Sequence, residues 1–215
     1  MTAPRVHPLG DAGITIELGH ERSPELLGQI HAAATQIRTA DIDSVQDVVP
    51  AYLAVAVFYD PLRKSFAEMS KQILEALARR SDSAQSEPAT HHTIAVRYDG
   101  VDLNAVATAC DLTTADVIHL HTARSYTVDL LGFVPGWAYL SELDPRLKIE
   151  RRPQPRPRVA AGSVAIAATQ TGIYPIDTPG GWHIIGNTDT VLFDARRDPP
   201  TLLKAGDTVQ FEAVA

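Results

Sequence analysis

From Ala12 to Leu18 apolar and polar residues alternate, with Ile14, Ile16 and Leu18 on one side, which is the period of a half-buried strand. The period then lengthens to that of a helix. Leu26, Leu27, Ile30, Ala33, Ala34 and Ile37 recur at three- and four-residue spacing, with Ser23 placed to cap and Pro24 suited to the first helical position. This helix is expected to end near Arg38. Val45–Val49 and Tyr52–Tyr59 read as strands on either side of Pro50, and a second helix opens at Ser65. There Ser65 and Glu68 have capping-box spacing, and Phe66, Met69, Ile73, Leu74 and Leu77 form an apolar stripe. Residues 1–81 thus predict βαββα, a small sheet covered by two helices.

Between Ser81 and Thr90 the run SDSAQSEPAT has no large apolar residue and reads as a linker. Beyond it, Thr93–Tyr98 predicts a strand, Asp102–Ala109 a short helix, and Thr114 to about His121 another helix capped by Thr113 or Thr114. From Ser125 onward the pattern changes to short β-prone runs (SYTVDLLGF, SVAIAA, GIYPI, HIIG, TVLFD, DTVQFEAV) between turns rich in proline and glycine. That is the pattern of a barrel or sandwich. The fold class expected is α+β in two domains, 1–81 and 91–215, joined by residues 82–90.

Composition narrows the picture. Of 215 residues, 45% are apolar and 21% charged, close to an ordinary globular protein. The single cysteine, Cys110, cannot form an internal disulfide, so a reducing, cytoplasmic setting is expected. Neither a signal peptide nor an uncharged apolar run of membrane-spanning length is evident. A formal charge of −7 argues against nonspecific nucleic-acid binding, and 15 of the 19 cationic residues are arginine.

Common catalytic signatures do not occur: G-x-G, a Walker A loop, H-E-x-x-H, G-x-S-x-G and paired thiols are all missing from the text. His119 and His121 form H-x-H, which on a strand would place both imidazoles on one face. On the helix expected here they diverge by about 200°, so one packs and the other is solvated, and no metal site is expected. The run RRPQPRPR, Arg151–Arg158, reads either as an anion clamp or as a solvated loop, with Arg158 expected to turn inward beside Val159-Ala160-Ala161. Two segments read either as a pocket or interface, or as barrel corners where glycine and proline occur because the strands must bend. GFVPGWAYL sets Phe133, Trp137 and Tyr139 around Pro135 and Gly136. ATQTGIYPIDTPGGWHIIGNT brings Gln170, Thr171, Tyr174 and the turn Pro179-Gly180-Gly181-Trp182, whose glycines allow close backbone approach to a ligand.

The strings L-G-F-V-P-G-W-A-Y-L, P-R-V-A-A-G-S-V-A-I-A-A-T-Q-T-G-I-Y-P and P-G-G-W-H-I-I-G-N-T, with a leading D-A-G-I-T-I-E-L, resemble the family of the 5-oxoprolinase B subunit, also called KipI-like or allophanate hydrolase subunit 1. The resemblance runs the length of the chain. It implies a ferredoxin-like first domain and a cyclophilin-like β-barrel. It also implies partners, an A-type component and a KipA-like C-type component (allophanate hydrolase subunit 2), and conversion of 5-oxoproline to L-glutamate with ATP used by the complex; whether this chain touches ATP is left open. As catalytic residues it suggests His121, for proton transfer, with Gln170 and Tyr174. Phe133, Pro135, Gly136, Arg158, Thr171, Pro179, Gly180, Gly181 and Trp182 are then expected to bind the amide substrate or a partner. The sequence departs from the family at Ala160, where a proline is usual, and at Asn187, where an arginine is usual. Two other readings are a regulatory module that binds a kinase or similar protein, and a prolyl isomerase.

Overall fold

The computed structural model describes residues 4–79 and 89–215 and resolves into two compact units, Met1–Pro88 and Ala89–Ala215. The run 81–88, most of the expected linker, lies outside the described residues.

In the first unit, β1 (Arg5–Pro8), β2 (Gly13–Glu17), α1 (Pro24–Thr39), β3 (Val45–Pro50), β4 (Ala54–Tyr59) and α2 (Phe66–Ala78) follow one another. The strands form an antiparallel sheet in the order β1-β2-β4-β3. Local chemistry sets the helix starts. The Ser23 hydroxyl accepts from the Leu26 amide at 3.1 Å, and Ser65 and Glu68 form a reciprocal capping box that satisfies two otherwise orphaned amides. Ile14, Ile16, Val55 and Val57 of the sheet pack against Leu26, Ile30, Met69 and Ile73 of the helices. Each such side chain, fully buried, contributes roughly 1.5–3 kcal/mol. The sheet gains β1, which the alternation pattern does not predict. Its four residues sit at an edge, where two prolines nearby hide the alternation.

The second unit contains β5 (His91–Arg97), α3 (Leu103–Ala109), α4 (Thr114–Thr122), β6 (Ser125–Leu131), β7 (Ala138–Ser141), a 3-10 turn at Pro145–Leu147, β8 (Arg156–Val159), β9 (Ser163–Ala167), β10 (Gln170–Ile173), β11 (Thr178–Gly180), β12 (His183–Asn187) and β13 (Thr208–Val214). Seven strands close a barrel in the order β10-β7-β6-β13-β5-β12-β9, while β8 and β11 pair as a separate ribbon. All barrel pairings are antiparallel except β13 with β5. Side chains from every barrel strand, including Val96, Val128, Leu140, Ile166, Ile173, Ile185 and Phe211, meet in one interior cluster. Val106, Val117 and Leu120 of the two helices join it.

Two expectations need correction here. TVLFD is not a strand; it makes a single bridge, Phe193 to Thr201, and only Leu192 turns into the core. GIYPI is strand only to Ile173, because β10 starts earlier, at Gln170, straight after the turn at Ala168.

Candidate functional site

Strand alternation gives the barrel wall two faces. On β9, Val164 and Ile166 point inward, whereas Ala165 and Ala167 point outward into a second apolar cluster with Trp137, Val159, Tyr174 and Trp182. The same alternation runs along β10. Thr171 and Ile173 are buried on the inner side, and Gly172 lies under the indole of Trp137. The residues expected to form one site therefore separate into two groups.

The inner group is His121 with Thr171. His121, in the last turn of α4, has no exposed surface and stacks on Phe211 with ring centroids 4.5 Å apart. Its Nδ1 is 2.7 Å from the Tyr98 hydroxyl and its Nε2 is 2.8 Å from Thr171 Oγ1. Thr171 has one hydroxyl proton, and that proton is donated to the Ala165 carbonyl at 3.1 Å. Nε2–H must therefore donate to Thr171, and Nδ1 accepts from Tyr98. Burial lowers the His121 pKa to about 3 and raises that of Tyr98, so both groups stay neutral. In this structure His121 is a fixed core tautomer with both nitrogens engaged. His119, two residues earlier, is exposed.

The outer group is built around Trp137. Its ring centroid lies 5.0 Å from Trp182, 4.7 Å from Tyr174, 5.8 Å from Tyr139 and 5.7 Å from Phe133, all edge-to-face. Aromatic pairs of this geometry add about 0.5–1.5 kcal/mol each beyond area burial. Phe133 is 59% exposed and has φ +68°, a strained conformation for a bulky residue, held by the turn from Gly132 to Trp137. Pro135 is exposed beside it. Gly136, at φ +81°, packs so closely on Phe193 that a Cβ would come within 2.6 Å. On the β8–β11 ribbon Pro179 is exposed, and Gly180 lies flat on Tyr174: a Cβ there would sit 2.1 Å from the tyrosine hydroxyl. Gly181 faces Pro155 with ordinary clearance. Burial raises the Tyr174 pKa, opposed by the Trp182 backbone and the Arg151 and Arg156 charges.

Next to this platform the outer faces of β6, β7 and β10 carry a polar row. Ser141 and Gln170 are direct cross-strand partners, both half-buried. Asp129 sits at a bulge of β6, completely buried, and accepts from Ser141 Oγ at 2.6 Å and from Gln170 Nε2 at 3.5 Å. Sequence reading selects Gln170 but neither Asp129 nor Ser141.

The arginine run resolves differently from either reading. Asp102, 4% exposed, accepts from Arg152 at 3.0 Å, from both terminal nitrogens of Arg156 at 2.9 and 2.8 Å, and from the Ile184 amide at 2.8 Å. Burial acts to raise the Asp102 pKa, but the Arg156 and Ile184 hydrogen bonds and both guanidinium charges outweigh it and hold the carboxyl below its ordinary value. Arg152 and Arg156 thus fasten the ribbon to the barrel wall. Arg158 is corrected: it points outward, 78% exposed, paired with Asp177, because Val159 takes the inward place on β8. Asn187 donates to Asp99 and accepts from Arg97, which also forms a two-nitrogen ion pair with Asp189.

The family model described as carboxyltransferase domain, subdomain C and D, matches residues 4–203, and the chain belongs to that family. More particularly, it is similar to the 5-oxoprolinase B subunit of Bacillus subtilis (strain 168), 36% identical over 224 residues, covering 98% of this chain and 93% of that protein. It is also 36% identical over 216 residues to the 5-oxoprolinase B subunit of Escherichia coli O157:H7, covering 98% of this chain and 96% of that one. The crystal structure of TTHA0988 matches with a TM-score of 0.83 and 38% identity over 94% of this chain, which spans 40% of that longer chain. Among the described residues no helix is long and apolar enough to cross a membrane.

Proposed function

We propose that this chain is the B-type component of an ATP-dependent 5-oxoprolinase complex, acting in the cytoplasm with an A-type and a KipA-like C-type component to open 5-oxoproline to L-glutamate. The observation that carries this reading is the 36% identity, over nearly the whole of both chains, to proteins named as the B subunit of 5-oxoprolinase. In the same reading the first unit is ferredoxin-like and the barrel cyclophilin-like.

The outer wall suits the substrate class. A small cyclic amide has an apolar ring edge and a polar amide edge, and here the Trp137-centred shelf adjoins the Ser141–Gln170 row. We assign substrate contact to Gln170, and contact with substrate or a partner protein to Phe133, Pro135, Pro179, Gly180, Gly181 and Trp182; Tyr174, 1% exposed beneath Gly180, supports that surface from behind instead of touching substrate. His121 and Thr171 act behind them by fixing β10 from inside. A triphosphate needs uncommitted cations or a glycine-rich amide cradle. Arg152 and Arg156 are both held by the one Asp102 carboxylate, and Arg158 by Asp177, so the guanidinium groups of these three are already engaged, which favours placing the ATP site on another component of the complex.

The test is Gln170→Ala in the reconstituted complex. Assembly is expected to persist while glutamate release falls at least tenfold; undiminished turnover in an intact complex would remove the site assignment.

A further inference from the structure

The first arginine of the run, Arg151, is exposed and, among the described residues, makes no hydrogen bond or ion pair. Its backbone is nonetheless pinned. Ile149 bridges Ala168, the Glu150 carbonyl accepts from His183 Nε2 at 2.9 Å, and the Arg152 amide donates to the Gly181 carbonyl at 2.8 Å. Arg151 thus sits between two residues tied to Gly181 and His183, alongside Trp182. Arg152 sends its guanidinium to Asp102, whereas the Arg151 charge is felt at the Tyr174 hydroxyl, within the aromatic cluster of Trp137 and Trp182. Arg151, Arg152 and Arg156 outnumber Asp102 and Glu150 there, so the root of the ribbon keeps an excess positive charge. A guanidinium is a planar fork that meets a carboxylate through two parallel N–H···O bonds. One such group matches a single carboxylate and not the several charges of a triphosphate.

We propose that Arg151 is a substrate-binding residue whose guanidinium takes the carboxylate of a ligand with its ring on the Trp137–Trp182 shelf. This rests on the oxoprolinase reading of the site and deepens it: 5-oxoproline carries one carboxylate, and neither the shelf nor the Ser141–Gln170 row supplies a cation. One bridge ties the two ends of the site together. Arg151 follows Ile149 by two residues, and Gln170 follows its bridge partner Ala168 by two. Because Arg151 is exposed, its pairing is partly screened by solvent, and the expected effect is on affinity for the charged ligand alone.

The test compares 5-oxoproline with its primary amide, 5-oxoprolinamide, which keeps the ring and the lactam but lacks the charge. Binding of each to the reconstituted complex is measured by calorimetry. The wild-type complex is expected to prefer 5-oxoproline by about tenfold or more. In Arg151→Gln the preference should fall to within about threefold through weaker 5-oxoproline binding, with affinity for the amide unchanged, a split that a structural role would not produce. Arg151→Lys keeps the charge and should regain part of the lost preference. Equal wild-type affinities for the two ligands, or an unchanged preference in Arg151→Gln, would overturn the proposal while leaving the oxoprolinase reading standing. An acidic side chain on a partner protein is the other source of a carboxylate, so failure of Arg151→Gln to assemble with its partners would also overturn it, by placing Arg151 in an interface. A wild-type complex that binds neither ligand overturns the oxoprolinase reading, and this proposal with it.

Discussion

Protonation of His121 gives the most quantitative prediction. The imidazole is fully buried with both nitrogens committed, and its pKa is lowered from 6.5 to about 3. Above pH 6.5 neither the folded nor the unfolded chain carries the proton, and the group adds no pH dependence to stability. As pH falls below 6.5 the unfolded chain takes up a proton that the folded chain refuses, so stability falls by about 1.4 kcal/mol per pH unit. The loss is complete near pH 3, at roughly 5 kcal/mol in total. The window from pH 6.5 to 5 isolates the effect, because the structure's paired carboxylates, such as Asp102 and Asp177, are held below their ordinary values and stay ionised there. Both tryptophans of the chain, Trp137 and Trp182, lie in the barrel unit, so their fluorescence during urea unfolding reports on that unit. The difference in stability between wild type and His121→Gln should narrow by about 2 kcal/mol from pH 6.5 to 5. Parallel pH dependences for the two proteins, or an NMR titration of His121 with a midpoint near 6.5, would refute the fixed-tautomer reasoning.

Other consequences follow from particular contacts. Gly180→Ala drives a Cβ to within 2.1 Å of the Tyr174 hydroxyl and should lower barrel stability by about 1–3 kcal/mol, read as a drop in Tm. Trp137→Ala empties the centre of four ring contacts and should cost about 3–5 kcal/mol in chemical denaturation. Asp102→Asn leaves two guanidinium groups partly unmatched and should cost about 1–3 kcal/mol, with proteolysis of the Arg151–Arg158 segment accelerated. By contrast Arg158→Ala, at an exposed pair, should change stability by no more than about 1 kcal/mol.

What the sequence discloses is mostly local. The helices are legible because capping residues and apolar stripes lie within one or two turns of each other, as at Ser23 and Ser65. Strands with clean alternation, such as β2 and β9, are legible too. The β8–β11 ribbon is not, because Pro157 and Pro179 interrupt its pattern; a two-stranded ribbon off the barrel tolerates them, since it has open edges where no amide is required. In the site, the aromatic and glycine turns announce themselves. Asp129 and Asp102 do not, since Gln170 lies 41 residues from Asp129, and Arg152 and Arg156 lie 50 and 54 residues from Asp102. Only barrel closure brings those groups together. His121 and Gln170 look alike as candidates, yet the pleat sends the Thr171 contact of His121 inward and Gln170 outward, a distinction that depends on the register of β10.

The central claim is that this chain is a required component of an oxoprolinase complex. Its most direct test is glutamate release from 5-oxoproline and ATP by the chain reconstituted with its A-type and C-type partners, each component omitted in turn. The account predicts release from the full set and none when this chain is left out. Release that persists without it, or an assembled complex that stays inactive on 5-oxoproline, would contradict the account.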